Sequence, residues 1–208
     1  MPILLTICLI LMTPLVSAAT ITNISNSPES VSPLLPGLQA PALTLKNSEG
    51  KAIDLSTLYK NKTSIVVVYR GGWCPYCTRQ LKGIQAIESQ IASLGAQIIA
   101  VSPDSPKALA KSTIESPNYL LLSDNEMAYA QALGLAYFLD NKTATAYRNK
   151  LGVNFVDLDG NDRVALPVPA VFVIDKRGLV QFQYANPNYK VRLDEKVLLA
   201  AVTAASKL

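Results

Sequence analysis

The 208-residue chain contains no histidine and only three cysteines. Structural zinc takes about four Cys or His ligands, so two cysteines left after an N-terminal segment and no imidazole exclude it. The same absence removes Ser-His-Asp and Cys-His nucleophile pairs, histidine-ligated haem and the usual copper sites. No metal ligand set and no cofactor is expected. Glycine-rich phosphate loops are missing as well. The 19 basic and 15 acidic residues are spread out, with no run of five like charges, so no polybasic arm addresses nucleic acid or anionic lipid. With half of its residues hydrophobic and 16% charged, the chain is not disordered and has the composition of one folded core.

The opening segment MPILLTICLILMTPLVSA is apolar from Ile3 to Val16 and ends in the small-residue pattern Val16-Ser17-Ala18. It is read as a secretory signal over residues 1–18, despite lacking a basic n-region. A membrane anchor needs about 20 apolar residues, and this run is shorter and broken by Pro14. Cleavage would remove Cys8 and leave Cys74 and Cys77, placing them in a periplasm or outside the cell, where disulfides persist. Contact with membrane is then only transient, through the signal. Residues 19–36, rich in Ser, Asn, Thr and Pro, read as a flexible leader. One folded domain is expected over 37–208.

Within that domain, apolar runs alternate with helical periods. APALTLKNSEGKAIDL predicts two short strands about a turn at Asn47 to Gly50, and Ile65 to Val68 a strand buried on both faces. Leu81, Ile84, Ile87, Ile91 and Leu94 recur at helical spacing up to Gly95. AQIIAVS and NYLLLSD read as strands, with helices over Ser105 to Ser116 and from Asn125 to about Leu133. Residues 140–164 are polar, partly helical and look inserted. AVFVID and GLVQFQY form an antiparallel pair across Lys176-Arg177-Gly178, before a last helix from about Leu193 to Ala205. The pattern predicts α/β architecture with a mixed central sheet flanked by helices, an N-terminal extension and an insertion.

The chemistry concentrates in VVVYRGGWCPYCTRQL, Val66 to Leu81, where Cys74 and Cys77 sit between a buried strand and a helix. Unpaired N–H groups and the dipole at a helix start favour an anion, and a thiolate is one. Cys-X-X-Cys sites at helix starts ionise at about 3.5 to 7.5 rather than 8.5. Arg70 and Arg79 add positive potential. Pro75 suits the first helical turn, and Cys77, one turn further in, would stay protonated. A structural disulfide remains the plain alternative, although one closing so short a loop stabilises little. Asp104 and Asp124, each after a strand, read as helix caps.

The strand, the Trp-Cys-Pro-Tyr-Cys helix start and the later Val168-Pro169-Ala170 resemble the thioredoxin superfamily. YRGGWCPYC, AVSPDSP, LLSDNEMAYAQALGL and LPVPAVFVIDKRG together resemble the peroxiredoxin-like alkyl hydroperoxide reductase and thiol-specific antioxidant (AhpC/TSA) group, from about Gly37 to the C-terminus. The resemblance implies a thioredoxin-like fold, with Pro169 as the cis-proline that presents a substrate backbone. Against the peroxiredoxin pattern, Cys77 takes the peroxidatic position, Cys74 that of the Thr, Arg70 that of the Pro, and Pro169 that of the peroxide-polarising Arg. Against the thioredoxin pattern the buried acid falls at Val68. The Pro-Tyr pair is typical of glutaredoxins, but no glutathione signature follows Pro169.

The leading expectation is therefore an exported thiol-disulfide oxidoreductase: Cys74 attacks a disulfide and Cys77 resolves it, with Trp73, Pro75, Tyr76, Pro169 and Arg70 shaping the substrate site. The alternative is a thiol peroxidase, Cys77 attacking a hydroperoxide and Cys74 resolving. A third reading is a redox-inert binding module. Expected partners are a disulfide-bearing protein, a small thiol or a hydroperoxide, and a separate electron donor, with no nucleic acid. The position of Tyr147 and Arg148, in the insertion, relative to the sulfurs is not encoded in any local pattern.

Overall fold

The computed structural model describes residues 24–111, 119–151, 155 and 163–208. The signal-segment expectation falls outside these residues. In chain order the elements are β1 (Thr44–Asn47), β2 (Ala52–Asp54), α1 (Leu55–Asn61), β3 (Thr63–Val68), α2 (Pro75–Ala86), α3 (Glu88–Ser93), β4 (Ala96–Ser102) and α4 (Pro106–Leu109). Then follow β5 (Tyr119–Ser123), α5 (Ala128–Ala132), β6 (Ala136–Phe138), α6 (Asn141–Leu151), β7 (Ala165–Pro167), β8 (Ala170–Ile174), β9 (Val180–Ala185) and α7 (Glu195–Ala205). Seven strands form one sheet in the order β2-β1-β5-β4-β3-β8-β9, and β6 pairs with β7 beside it. The central β3, β4 and β5 are parallel, while β8 runs antiparallel to β3. The α/β fold with a mixed sheet is the architecture the alternating pattern predicts.

The all-apolar central strands follow from burial on both faces. Successive side chains point to opposite sides. Val66 and Val68 therefore pack with Ile99, Val101, Leu55 and Tyr59 on one face, and Ile65 and Val67 with Ile98, Leu81, Ile84 and Val202 on the other. The second face is covered by α2, α3 and α7. The long helix expected up to Gly95 is two helices: Ile87 leaves helical geometry at φ −106°, ψ 10°, and the apolar stripe continues across the break through Ile91. The helix expected from Ser105 is described only as α4, capped by the Ser105 side chain on the Ala108 N–H. Asp175 organises the β8–β9 turn, accepting from the backbone N–H of Arg177 and Leu179 and from the Arg177 guanidinium.

Residues 24–36, expected as part of a flexible leader, lie along the domain. Ser25 exchanges backbone hydrogen bonds with Ala136 and Phe138, Leu34 N–H donates to Leu133, and Val31 and Leu34 pack on the core. Apolar side chains spaced among the polar ones give this segment the anchorage that its composition hides. Residues 141–151 of the expected insertion form α6, begun by Asp140, whose carboxylate accepts from Thr143 N–H and Oγ1. None of the described helices is long and apolar enough to cross a membrane.

Candidate active site

The strand β3 ends at the loop Tyr69 to Trp73, and α2 starts on Pro75 with Cys74 as its N-cap. The Cys74 carbonyl accepts from the N–H groups of Cys77 and Thr78, and its own N–H donates to Gly71. Gly71 adopts φ 137° and lies so close to the Trp73 ring and the Asp104 carboxylate that a Cβ there would collide with both. Asp104 fixes the same loop by accepting from Gly72 N–H at 2.7 Å and Ser102 Oγ at 3.1 Å. Its role is to hold the loop rather than to cap α4. Asp124 does take up helix N–H groups, those of Tyr129 and Ala130.

Both sulfurs are enclosed, Cys74 at 1% and Cys77 at 0% exposure. Their acidities diverge. The Cys74 thiol is pulled down to about 6, chiefly by the hydrogen bond from Cys77 and further by Arg70 and Arg192, against the opposing effect of burial. Cys77 is pushed strongly up by that same hydrogen bond and by burial. The hydrogen bond between them makes Cys74 the more acidic sulfur and Cys77 its donor.

Arg192, in the stretch between β9 and α7, points Nη2 at Cys77 Sγ (3.3 Å) and Cys74 Sγ (4.0 Å). Its Nε and Nη1 are buried and have no acceptor among the described residues. Sequence reading assigned the loss of the peroxide-polarising arginine to Pro169 and missed Arg192, because only folding of the segment after β9 brings it back to the sulfurs. Its one linear signal is its place just ahead of α7, whose side chains share the core face with α2.

Arg70 is 2% exposed, so it is an interior cation rather than a surface charge. Its Cζ lies 4.3 Å from the Tyr189 ring centroid and 5.3 Å from those of Trp73 and Tyr147, and its Nη2 donates to Tyr147 Oη at 3.1 Å. Trp73 packs on Tyr147 with centroids 5.2 Å apart and Tyr76 on Tyr189 at 5.7 Å. Tyr147 of α6 therefore makes the insertion one wall of the site. Trp73, just before the cysteines, and Tyr76, between them, pack beside the sulfurs with Tyr147 and Tyr189, and the sequence did not single out Tyr189. Arg79 is exposed, over the Tyr76 ring at 5.8 Å. Pro75 is exposed at the first turn of α2. Pro169 is buried, next to Ala170, which pairs with Val68 at the end of β3 from which the cysteine loop departs. No cis peptide occurs among the described residues, so Val168-Pro169 is trans and the expected cis-proline is not formed.

No group of His, Cys, Asp and Glu suited to a metal exists among the described residues. The site is a dithiol with the Arg192 guanidinium against both sulfurs and the Arg70 charge acting on Cys74. The AhpC/TSA family model matches residues 36–183. Putative peroxiredoxin bcp of Haemophilus influenzae is 35% identical over 106 residues, which is 50% of this chain and 68% of that protein. Chloroplastic Peroxiredoxin Q of Populus jackii is 28% identical over 150 residues, 72% of this chain and 60% of that protein. Among solved structures, Peroxidoxin BcpB from Mycobacterium tuberculosis superposes with TM-score 0.62 at 20% identity, over 81% of this chain and 96% of that one. Reduced Prx3 from Vibrio vulnificus in complex with H2O2 superposes equally, at 19% identity over the same shares. With the family model spanning the sheet and both cysteines, the chain belongs to the AhpC/TSA family of thiol-based oxidoreductases with a thioredoxin-like fold.

Proposed function

We propose that the protein is a thiol peroxidase that reduces hydroperoxides with Cys74 as the attacking sulfur and Cys77 as the resolving one. One observation carries this reading: the Arg192 guanidinium at 3.3 Å from Cys77 Sγ and 4.0 Å from Cys74 Sγ, with two donors unengaged among the described residues. A hydroperoxide needs a cation to polarise its O–O bond and to stabilise the departing oxyanion. Disulfide exchange needs no such group. Enclosure points the same way, since a peroxide is small enough to reach a sulfur at 1% exposure, whereas a protein disulfide needs an open one. The relatives named as peroxiredoxins support the reaction class.

In the first step the Cys74 thiolate attacks one peroxide oxygen. An S–O bond forms, the O–O bond breaks, and the leaving oxyanion takes a proton to depart as water or alcohol. The Cys77 sulfur then attacks the Cys74 sulfenic acid, an S–S bond forms, and water leaves. An external thiol restores the dithiol. This assignment differs from the family pattern, which puts the peroxidatic sulfur at Cys77. The divergence in acidity favours Cys74, since the thiolate is the nucleophile.

The test is stopped-flow oxidation of the reduced protein by hydrogen peroxide, followed by Trp73 fluorescence. Oxidation orders of magnitude faster than free cysteine at the same pH is expected. Cys77→Ser should accumulate sulfenic acid on Cys74, and Cys74→Ser should react no faster than free cysteine. A sulfenic acid formed rapidly on Cys77 in Cys74→Ser would instead return the attack to the family position. Dithiol-disulfide exchange is the second reading, favoured by the Cys-X-X-Cys pairing of a low and a high thiol. It predicts slow peroxide oxidation together with a mixed disulfide trapped in Cys77→Ser. Export to the periplasm or the exterior, read from residues 1–18, belongs to the same proposal and fits a disulfide-forming pair.

A further inference from the structure

Arg70 raises a question that the sulfur chemistry leaves unanswered. Buried charges are ordinarily paired, yet among the described residues no carboxylate forms an ion pair with this interior guanidinium. Among the described residues its guanidinium meets three aromatic faces and the phenols of Tyr147 and Tyr137, and its buried Nε has no acceptor. The same residue lines a cavity of about 640 Å³, within the range of a small-molecule site. The walls come from three parts of the chain that meet only in the fold: Pro28 of the N-terminal segment, Tyr137 of β6, Thr143 and Tyr147 of α6, and Tyr189.

We infer that this cavity binds an organic carboxylate carried by a substrate, with the carboxylate on the Arg70 guanidinium and an apolar or aromatic body against the tyrosines. A guanidinium that lines the cavity and has no carboxylate partner among the described residues is suited to a carboxylate, and planar rings beside it suit a planar body. Two acids also line the cavity. The Asp140 carboxylate is engaged by Thr143 at 2.8 Å and 2.6 Å, and Glu29 is exposed. Their charge opposes anions in general and polyanions most, so a single carboxylate depends on direct contact with Arg70. The inference that the ligand is a substrate rests on the peroxidase reading above, because Arg70 also acts on Cys74 through its charge. The binding itself does not.

The experiment is titration of the Cys74→Ser/Cys77→Ser protein, which does no sulfur chemistry, with phenylacetate and with neutral phenylacetamide. The readouts are calorimetry and the fluorescence of Trp73, whose ring lies 5.3 Å from Arg70 Cζ. Saturable binding of phenylacetate at least tenfold tighter than the amide is expected. Arg70→Met should remove that preference. Thr143→Glu should weaken phenylacetate at least tenfold by supplying an internal carboxylate, at a first-turn helix position that tolerates Glu. Equal affinity for acid and amide, or undiminished phenylacetate binding in Thr143→Glu, overturns the proposal. On the wild-type enzyme, a carboxylate-bearing aryl hydroperoxide and its methyl ester are then compared as oxidants, and a carboxylate-bearing thiol and its ester as reductants. A lower KM for the acid in one pair assigns the site to that substrate. No preference in either pair overturns the substrate assignment while leaving the peroxidase reading intact.

Discussion

At Arg192 the Nη2 group faces both sulfurs while Nε and Nη1 have no acceptor among the described residues. Arg192→Met keeps most of the stem and removes the charge and the donors. Loss of one such donor from an oxyanion site costs roughly 10²-fold to 10³-fold, so the second-order rate with hydrogen peroxide should fall by about that factor in stopped flow. Because the guanidinium also lowers the Cys74 pKa, the midpoint of the pH–rate profile should move upward in the variant. In the wild type, the oxidation rate should rise with pH through about 6 and level above it. Below the midpoint it should drop about tenfold per pH unit, as the thiolate fraction does. A profile centred near 8.5, the value of a free thiol, would mean that Cys74 is not the sulfur being read.

At the scale of elements, α2 is held in place by the same buried face that carries the Cys77 sulfur. Cys77, Leu81 and Ile84 line one stripe that packs on Ile65 and Val67 of β3. Ile84→Ala should therefore lower stability by about 2–5 kcal/mol, the cost of a buried aliphatic replaced by Ala, measured by urea denaturation of the reduced protein. The stripe was legible in the sequence as a helical period. The break at Ile87 was not, because Leu81, Ile84, Ile87 and Ile91 keep nearly the same apolar face on either side of it. The short β6 and β7 and the helix α1 went unread for a related reason. Three-residue strands carry too little alternation to stand out, and the start of α1 is marked by a single residue, Asp54, whose side chain accepts from Ser56 N–H.

At the scale of the whole molecule, the site is assembled from segments far apart in the chain: the β3–α2 loop, α6 and the stretch between β9 and α7. The N-terminal segment closes the neighbouring cavity, so deleting residues 24–36 should expose Leu133 and Tyr137, lower the thermal midpoint and weaken phenylacetate binding together. If export is correct, the protein recovered from a bacterial periplasm should begin at Ala19, after the small-residue pattern at residues 16–18, as read by intact mass. A mass retaining residues 1–18 would argue for an uncleaved segment.

What the sequence determined by itself was the local chemistry and the class of fold. Cys74, Pro75 and Cys77 lie within four consecutive residues at a strand-to-helix junction, and alternation between apolar runs and helical periods dictates an α/β sheet whatever the long-range contacts are. The absence of histidine by itself excludes most competing sites. Only the tertiary structure decided which charges act on the sulfurs. Arg192 follows Cys77 by 115 residues, and Tyr147 follows Arg70 by 77. No pattern of local spacing encodes such a meeting, because it depends on the order of the strands and on what covers each face. The same long-range packing turned Arg70, indistinguishable in the sequence from a surface cation, into a buried charge without a carboxylate partner among the described residues.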